Sequence, residues 1–394
     1  MSHRTDGHTG TRIKRARRTR GLTQRELADI SPVSYSTITK IEQGLMAASP
    51  AVIGALSRAL SVPVTELTGQ PYLEDLRRDQ LDGLIQPIRD ALDLYDLGAD
   101  PLVTPRPMDQ LDARADALCA MVRATDLRGA ATELPGLIEE VTTAAWATPS
   151  SERWRVLAST YRTAYDVASK LGYIDLCTVA LDRMEWAAQR GSAPEVSAIR
   201  QYMRALVYMR SAQYRTGGRL LTAGLAALDQ ADRGRERDVV TGQMHLGGAV
   251  LTARAQDESA AETHLAEAER LANATGPAET VHWLAFGPTN VKIHRVATLA
   301  ERDEYDEAVL AAEDIEFPKG WPRSRTAHHH VEVARAQLWT GRIDDAFRSL
   351  RAARKAGPQQ TRYHPMVRET YAGLDAAKRQ LPHEFVAFGA WLGV

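Results

Sequence analysis

The sequence predicts an all-α chain in two parts: a head of five short helices over residues 11–70 and a body of longer helices behind it. Three observations carry this. Apolar residues recur at spacings of three and four, as in Leu73, Leu76, Leu81, Leu84, Ile88 and Leu92, and no segment alternates as a half-buried strand would. Gly and Pro fall at intervals that end helices and leave only short joints. The charge is also divided. Through Gln70 there are ten Lys and Arg against five Asp and Glu, a net of +5, which leaves −6 for the remainder of a chain whose total is −1. A basic head on a mildly acidic body suggests that the head alone meets a polyanion.

Each helix of the head has a start and a stop signal. Thr11–Arg20 forms the first and Gly21 ends it. Thr23 caps the second, with Glu26 three residues on at capping-box spacing, and the helix runs to about Ile30. Ser31-Pro32 breaks the chain, because Pro cannot continue a helix. Ser34 starts the third helix, which stops near Gly44; Ser49-Pro50 opens the fourth, ending near Leu60; Val62-Pro63 begins a short fifth. Residues 1–10 read as a flexible lead, 71–106 as a helical linker and 107–394 as the body.

Breaks in the body are expected near Gly98–Pro107, Pro149, Gly172, Gly191–Pro194, Gly217-Gly218, Gly234, Gly276-Pro277, Gly287-Pro288, Pro318–Pro322, Gly341 and Gly357-Pro358, leaving helices of roughly 15–22 residues. An internal repeat fits stacked helical hairpins. Residues 300–308 and 338–346 superpose at a spacing of about 38: helix, polar turn, acidic residues, then Ala leading into a second helix. Leu171–Asp175 and Gln256–Glu258 look like degenerate copies. The form resembles tetratricopeptide repeats, whose period is about 34, although most of their characteristic Trp, Leu, Gly, Tyr and Pro positions are absent.

The segment from Gly21 to Gly44, GLTQRELADISPVSYSTITKIEQG, is the most specific signal. Leu27 and Ala28 lie one turn before the break, where a small Ala lets two helices approach. Val33 enters the core at the turn. Ile38 and Ile41 anchor the third helix and leave Tyr35, Ser36, Thr39 and Lys40 outward. Over residues 12–68 the chain resembles the phage-repressor-like (Xre, lambda-Cro type) helix-turn-helix family. The resemblance implies a DNA-binding transcriptional regulator whose third helix presents its N-terminal half to base edges in the major groove. On that basis the DNA-contacting residues are Gln24, Ser34, Tyr35, Ser36, Thr37, Thr39, Lys40 and Gln43, with Gln24 at the family's phosphate-contact position. Lys40 suits guanine or a phosphate, whereas Tyr35, Ser36 and Thr37 are less decisive donors and acceptors. Arg17 and Glu42 match a pair that bridges the first and third helices in the family. Pro32 departs from the turn Gly usual there and restricts Ser31.

A helix-turn-helix head before tetratricopeptide-like repeats is similar to the peptide-pheromone regulators of Gram-positive bacteria and to large actinobacterial Xre-type regulators. One such head contacts only a half-site, so a homodimer on a two-fold operator is expected, and the concave face of a helical-repeat body is expected to sense a peptide or small-molecule effector; the alternative is an adaptor that docks a partner protein on DNA. Within the body, Trp283–Arg295 stands out, because Gly287-Pro288 interrupts a helical pattern. Asn290 and His294 lie one turn apart on one face, and an Asn on an inner helix can clamp a peptide backbone with both its carbonyl and its amide; local capping is the competing reading. Arg204, Tyr208 and His245 are further candidates for effector contact. Trp146, Trp154, Trp186 and Trp339 read as seam packing.

Other classes find no footing. The sequence has no G-x-x-x-x-G-K-[ST], H-E-x-x-H or G-x-S-x-G motif and no dinucleotide fingerprint, so an enzyme is not expected and no cofactor is implied. His328-His329-His330 cannot converge on one ion from a helix, since successive side chains point about 100° apart. Cys119 and Cys177 form no C-x-x-C and fit a reduced cytosol. No run reaches the about 18 apolar residues of a membrane span. The expected location is the cytoplasm, in association with the nucleoid.

Overall fold

The structure, a computed structural model, describes residues 8–377 and 382–394. Among the described residues every regular element is helical, apart from one isolated bridge between Ala278 and Phe286. Most of the lead expected over residues 1–10 lies outside the described residues, but Thr9 and Gly10 already belong to the first helix.

The head consists of α1 (Thr9–Thr19), α2 (Gln24–Asp29), α3 (Tyr35–Glu42), α4 (Pro50–Leu60) and α5 (Val64–Thr68). α1 starts two residues before the expected Thr11 because His8 caps it, Nδ1 accepting from the Gly10 amide at 3.0 Å. A Cβ on Gly10 would sit 2.0 Å from the Ile41 carbonyl oxygen, so α1 and α3 meet at a point that only glycine allows. The capping box forms as expected. The Glu26 amide donates to Thr23 Oγ1 at 3.2 Å and the Thr23 amide to Glu26 Oε2 at 2.7 Å. Ser34 and Ser49 cap α3 and α4 through their side-chain oxygens, which accept from the Thr37 and Val52 amides. Ile13, Leu27, Val33, Ile38, Ile41 and Leu56 fill the core between these helices.

The segment expected as a linker holds α6 (Leu73–Arg78) and α7 (Ile85–Asp93). Leu76, Leu81, Ile85, Ile88 and Leu92 are buried in the main core of the body, so these residues form part of its packing. Behind them helices pair in sequence: α8 (Met108–Arg123) with α9 (Leu127–Ala147), α10 (Ser151–Leu171) with α11 (Ile174–Arg190), and α12 (Pro194–Arg210) with α13 (Tyr214–Ala227). Next come α14 (Arg235–Arg254) with α15 (Glu258–Thr275), α16 (Pro288–Glu301) with α17 (Tyr305–Glu313), and α18 (Arg323–Trp339) with α19 (Ile343–Ala356). α20 (Pro358–Arg362), α21 (Pro365–Ala377) and α22 (His383–Leu392) complete the chain.

One joint recurs through the body. Within each pair the first helix ends on a left-handed residue, and the next residue caps the second helix with ψ between 62° and 86°. The left-handed residues are Thr125, Gly172, Ala212, Gln256, Asp303 and Gly341. Ser192, between α11 and α12, does the same. Four of the six within the pairs are not glycine, so composition alone does not mark them. Gly217-Gly218, expected as a break, instead lies inside α13, and the break falls at Ala212. Gly217 faces the neighbouring helix, where a Cβ would come within 2.5 Å of Leu251; it provides for close packing and makes no turn.

The head is seated on the body at two places. Gly54 on α4 lies against Ala212, and Arg58 donates to the Ala212 carbonyl. On the other side Glu369 of α21 accepts from the Thr9 hydroxyl and, at 3.4 Å, from the Ala48 amide, while Gln70 donates to the Tyr363 carbonyl at 3.1 Å.

Candidate nucleic-acid interface and central cavity

The outer face of the head is built on α3. Ile38 and Ile41 point inward and are fully buried. Tyr35, Ser36, Lys40 and Gln43 are exposed on the opposite side, with Thr37 and Thr39 half-buried beside them. Ser34 is exposed too, but its Oγ is committed to the Thr37 amide, which makes it the helix cap. Arg25 lies over the Tyr35 ring at 5.6 Å, and Arg15, Arg18 and Arg20 are exposed on and just after α1. This surface presents donors and positive charge together, as a groove-reading helix flanked by phosphate contacts requires. Arg25 was not singled out from sequence, although its place in the first turn of α2 beside Gln24 was a visible signal.

Behind this face lies a buried ionic lock. Arg17 donates to both oxygens of Glu42 at 2.6 and 2.7 Å and to the Leu22 carbonyl at 2.7 Å. Gln24 joins the lock. Its amide nitrogen donates to Glu42 Oε2 at 2.8 Å, and its carbonyl accepts from Thr39 Oγ1 at 3.2 Å. The residue expected at a phosphate is therefore held half-buried by protein partners, and it ties the start of α2 to α3.

Beneath the head is a cavity of about 360 Å³. Pro50, Ile53, Val64, Thr68 and Gln70 of the head form one wall, and the body forms the others. On α10 the lining residues include Arg162, Asp166 and Lys170, spaced by four; on α18 they include Arg325, His328 and Glu332. Tyr165 and Ser169 of α10 and Ser324 of α18 line it beside them. On α12 Met203, Leu206 and Met209 supply an apolar wall, continued by Ile293 of α16.

Charges in the cavity are unequally paired. Asp166 meets Arg123 at 3.1 Å, Glu301 meets Arg254 at 2.9 Å and Arg335 at 3.0 Å, and Glu332 meets Arg335 at 2.7 Å. Among the described residues Lys170 donates to the Gln360 side-chain oxygen at 2.6 Å and Arg325 to the Leu284 backbone carbonyl at 3.4 Å, and neither meets a carboxylate at ion-pair distance. Burial, with further repulsion from Arg123, Arg325 and Arg210, outweighs the attraction of Asp166 and brings the Lys170 ammonium down to about 7. His294, His328 and His364 are pushed to about 3, first by burial and then by neighbouring cations and histidines.

The effector candidates separate around this cavity. His294 lines it. Asn290, the residue before it on the same face, has no exposed surface; its amide donates to Gln243 at 3.2 Å, and Gln243 in turn donates to the Tyr202 hydroxyl at 2.9 Å. Asn290 is thus one layer behind the wall, with its Oδ1 buried and without a hydrogen bond among the described residues. Arg204 and Tyr208 lie on α12 out of phase with the cavity-facing Tyr202, Met203, Leu206, Met209 and Arg210. His245 pairs with His264 at 2.9 Å, away from the cavity-facing Gly247, Val250 and Arg254 of α14.

The segment before α16 folds inward. His282, Trp283 and Ala285 all take positive φ, a costly conformation for residues with side chains. Arg123 donates to the Trp283 carbonyl at 2.9 Å, Arg162 to the His282 carbonyl, and the Trp283 indole to Asp116 at 2.8 Å. Trp146, Trp154 and Trp186 pack edge-on or tilted against one another at 5.4–6.0 Å, and Trp339 stacks on Tyr305 at 5.6 Å. Cys119 and Cys177 are free and buried. Among the described residues no cluster of three or more His, Cys, Asp or Glu could hold a metal ion, and no helix is long and apolar enough to cross a membrane.

A helix-turn-helix family model matches residues 13–67. No curated protein and no solved structure matches the chain. The matched span runs from the core residue Ile13 of α1 to Leu67 of α5. It makes the head an Xre-type helix-turn-helix domain, the domain of a DNA-binding transcriptional regulator.

Proposed function

We propose that this regulator responds to a small-molecule effector bound in the central cavity, and that it reads a two-fold operator as a homodimer through α3. The observation that carries the reading is the shared wall: α4 and α5 of the head close a cavity whose other sides belong to the body. An occupant touches both parts, so its binding free energy differs between seated and displaced heads. Such a difference is what shifts a conformational equilibrium. At about 360 Å³ the cavity lies at the small end of the range for small-molecule sites, which favours a compact molecule over an extended peptide. The recurring hairpin joint supports the reading of the body as tetratricopeptide-like. A homodimer follows from the half-site that one such head covers. On this reading Tyr35, Ser36, Thr39 and Lys40 contact the operator, Thr37 and Gln43 flank them, and Ser34 and Gln24 hold the reading helix in place.

The test starts from genomic DNA captured by the full chain. The recovered fragments should share an inverted repeat with half-sites one helical turn apart or a multiple of it. Fragments without a shared repeat, or complexes carrying a single chain, would contradict the operator reading.

A further inference from the structure

We propose that the cavity binds an organic anion, with its carboxylate or phosphate set against Lys170 and Arg325 and its apolar body against Met203, Leu206 and Ile293. The inference deepens the effector reading and rests on the cavity being the effector site. Its ground is the uneven pairing of charge. Of the lining acids, Asp166, Glu301 and Glu332 have Arg partners within 3.1 Å and Glu369 is taken up by the Thr9 hydroxyl and the Ala48 amide, whereas among the described residues neither Lys170 nor Arg325 has a carboxylate within ion-pair distance. Arg162, 4% exposed, spends two nitrogens on backbone carbonyls and leaves its Nε without a hydrogen bond.

Lys170 and Arg325 are half-buried; a charge drawn partly out of water without a counter-charge carries a cost, and a partner supplied from outside the protein removes it. Here the surplus is positive and borders an apolar wall, which defines an amphipathic anion. The neighbouring histidines do not add to it, because burial and the same cations keep them neutral. His364 accepts from the Met366 amide through Nδ1, so its Nε2–H remains as a donor for an anion's oxygen. Lys170 faces Asp166 on its own helix, Arg123 on α8, Arg210 on α12, Arg325 and His328 on α18, and His364 beyond α20. A bound anion would tip that balance and restore its proton, so binding takes up protons near neutral pH.

The experiment is calorimetric titration of the full chain with four probes: octanoate, octyl phosphate, octan-1-ol and inorganic phosphate. At pH 6.5 one or both octyl anions should bind once per chain, at least tenfold more tightly than octan-1-ol or inorganic phosphate; their order separates a carboxylate effector from a phosphate. The preferred anion should weaken severalfold between pH 6.5 and 8.5. Lys170→Met and Arg325→Gln should each lower its affinity tenfold or more while the unliganded melting temperature holds or rises. Octan-1-ol binding as well as the anions would overturn the proposal. So would the absence of saturable binding by either anion, or variants that melt earlier and keep full affinity. Anion binding that leaves DNA affinity unchanged would uphold the site and remove the effector reading; intact DNA binding without anion binding would remove the anion site and leave the operator reading standing.

Discussion

Arg17 and Glu42 form a bidentate ion pair across the head, 7% and 8% exposed, that joins the first helix to the last turn of the reading helix. Breaking a buried pair by removing one partner costs about 3–5 kcal/mol, because the survivor remains desolvated. Arg17→Met alone should therefore unfold the head at markedly lower denaturant. The double replacement Arg17→Met, Glu42→Leu should recover much of the loss. Equal loss in the single and double variants would mean that the pair is not the lock.

On the exposed side of the same helix, Ser36→Ala with Lys40→Ala should weaken DNA binding by at least roughly tenfold, about 1.4 kcal/mol, with the circular dichroism spectrum and melting temperature unchanged. Lys40→Ala alone should also lower the salt dependence of binding, as loss of a phosphate or base contact does. Affinity unchanged in a gel-shift titration would place the reading face elsewhere.

Asn290→Ala strands the Gln243 carbonyl, which now accepts from the Asn290 amide at 3.2 Å in a layer without solvent. The expected cost is about 1–3 kcal/mol of stability. Anion affinity should change less than it does in Lys170→Met, since Asn290 stands behind the wall. Full stability with abolished binding would restore Asn290 to direct contact with the effector.

Much of the head was legible because its signals are local. The Thr23–Glu26 box, Ser34, Ser49-Pro50 and Gly21 each mark a helix end through their own chemistry, and the structure places the ends within two residues of them. The body was legible as helical but not in its joints, where Thr125, Ala212, Gln256 and Asp303 adopt a conformation usually left to Gly or Asn. The cavity was hidden for a different reason. Its walls come from Pro50 through Glu369, and tertiary packing alone decides which turn of each helix faces inward. One step of helical phase separates Tyr202 and Met203, which line it, from Arg204 and Tyr208, which do not.

His294 gives a pH dependence with a defined sign. It is 7% exposed, and its folded-state pKa of about 3 lies below the ordinary 6.5. Between those values the unfolded chain carries a proton that the folded chain lacks. Stability is therefore retained above pH 6.5 and lost as pH falls below it, at a limiting slope of about 1.4 kcal/mol per unit from this residue. His294→Gln should flatten the fall in melting temperature between pH 6.5 and 5. An unchanged slope would show that His294 takes up its proton without unfolding.

Gly54 marks where the head rests on the body. A Cβ there would come within 2.3 Å of the Ala212 Cβ. Gly54→Val should displace the head, exposing the chain near Gln70 to protease and enlarging the radius of gyration, with the far-ultraviolet spectrum unchanged. A protease pattern identical to that of the parent would mean that the seat accommodates the side chain.

The central claim is that one cavity, walled by both head and body, couples its occupant to DNA. The direct measurement is a linkage cycle on the full chain: affinity for a captured operator fragment with and without the tighter of octanoate and octyl phosphate, and affinity for that anion with and without the fragment. Reciprocity requires the two ratios to agree, and both should depart from unity by about fivefold or more, in the same direction. Two ratios of one, with both partners bound at once, would contradict it.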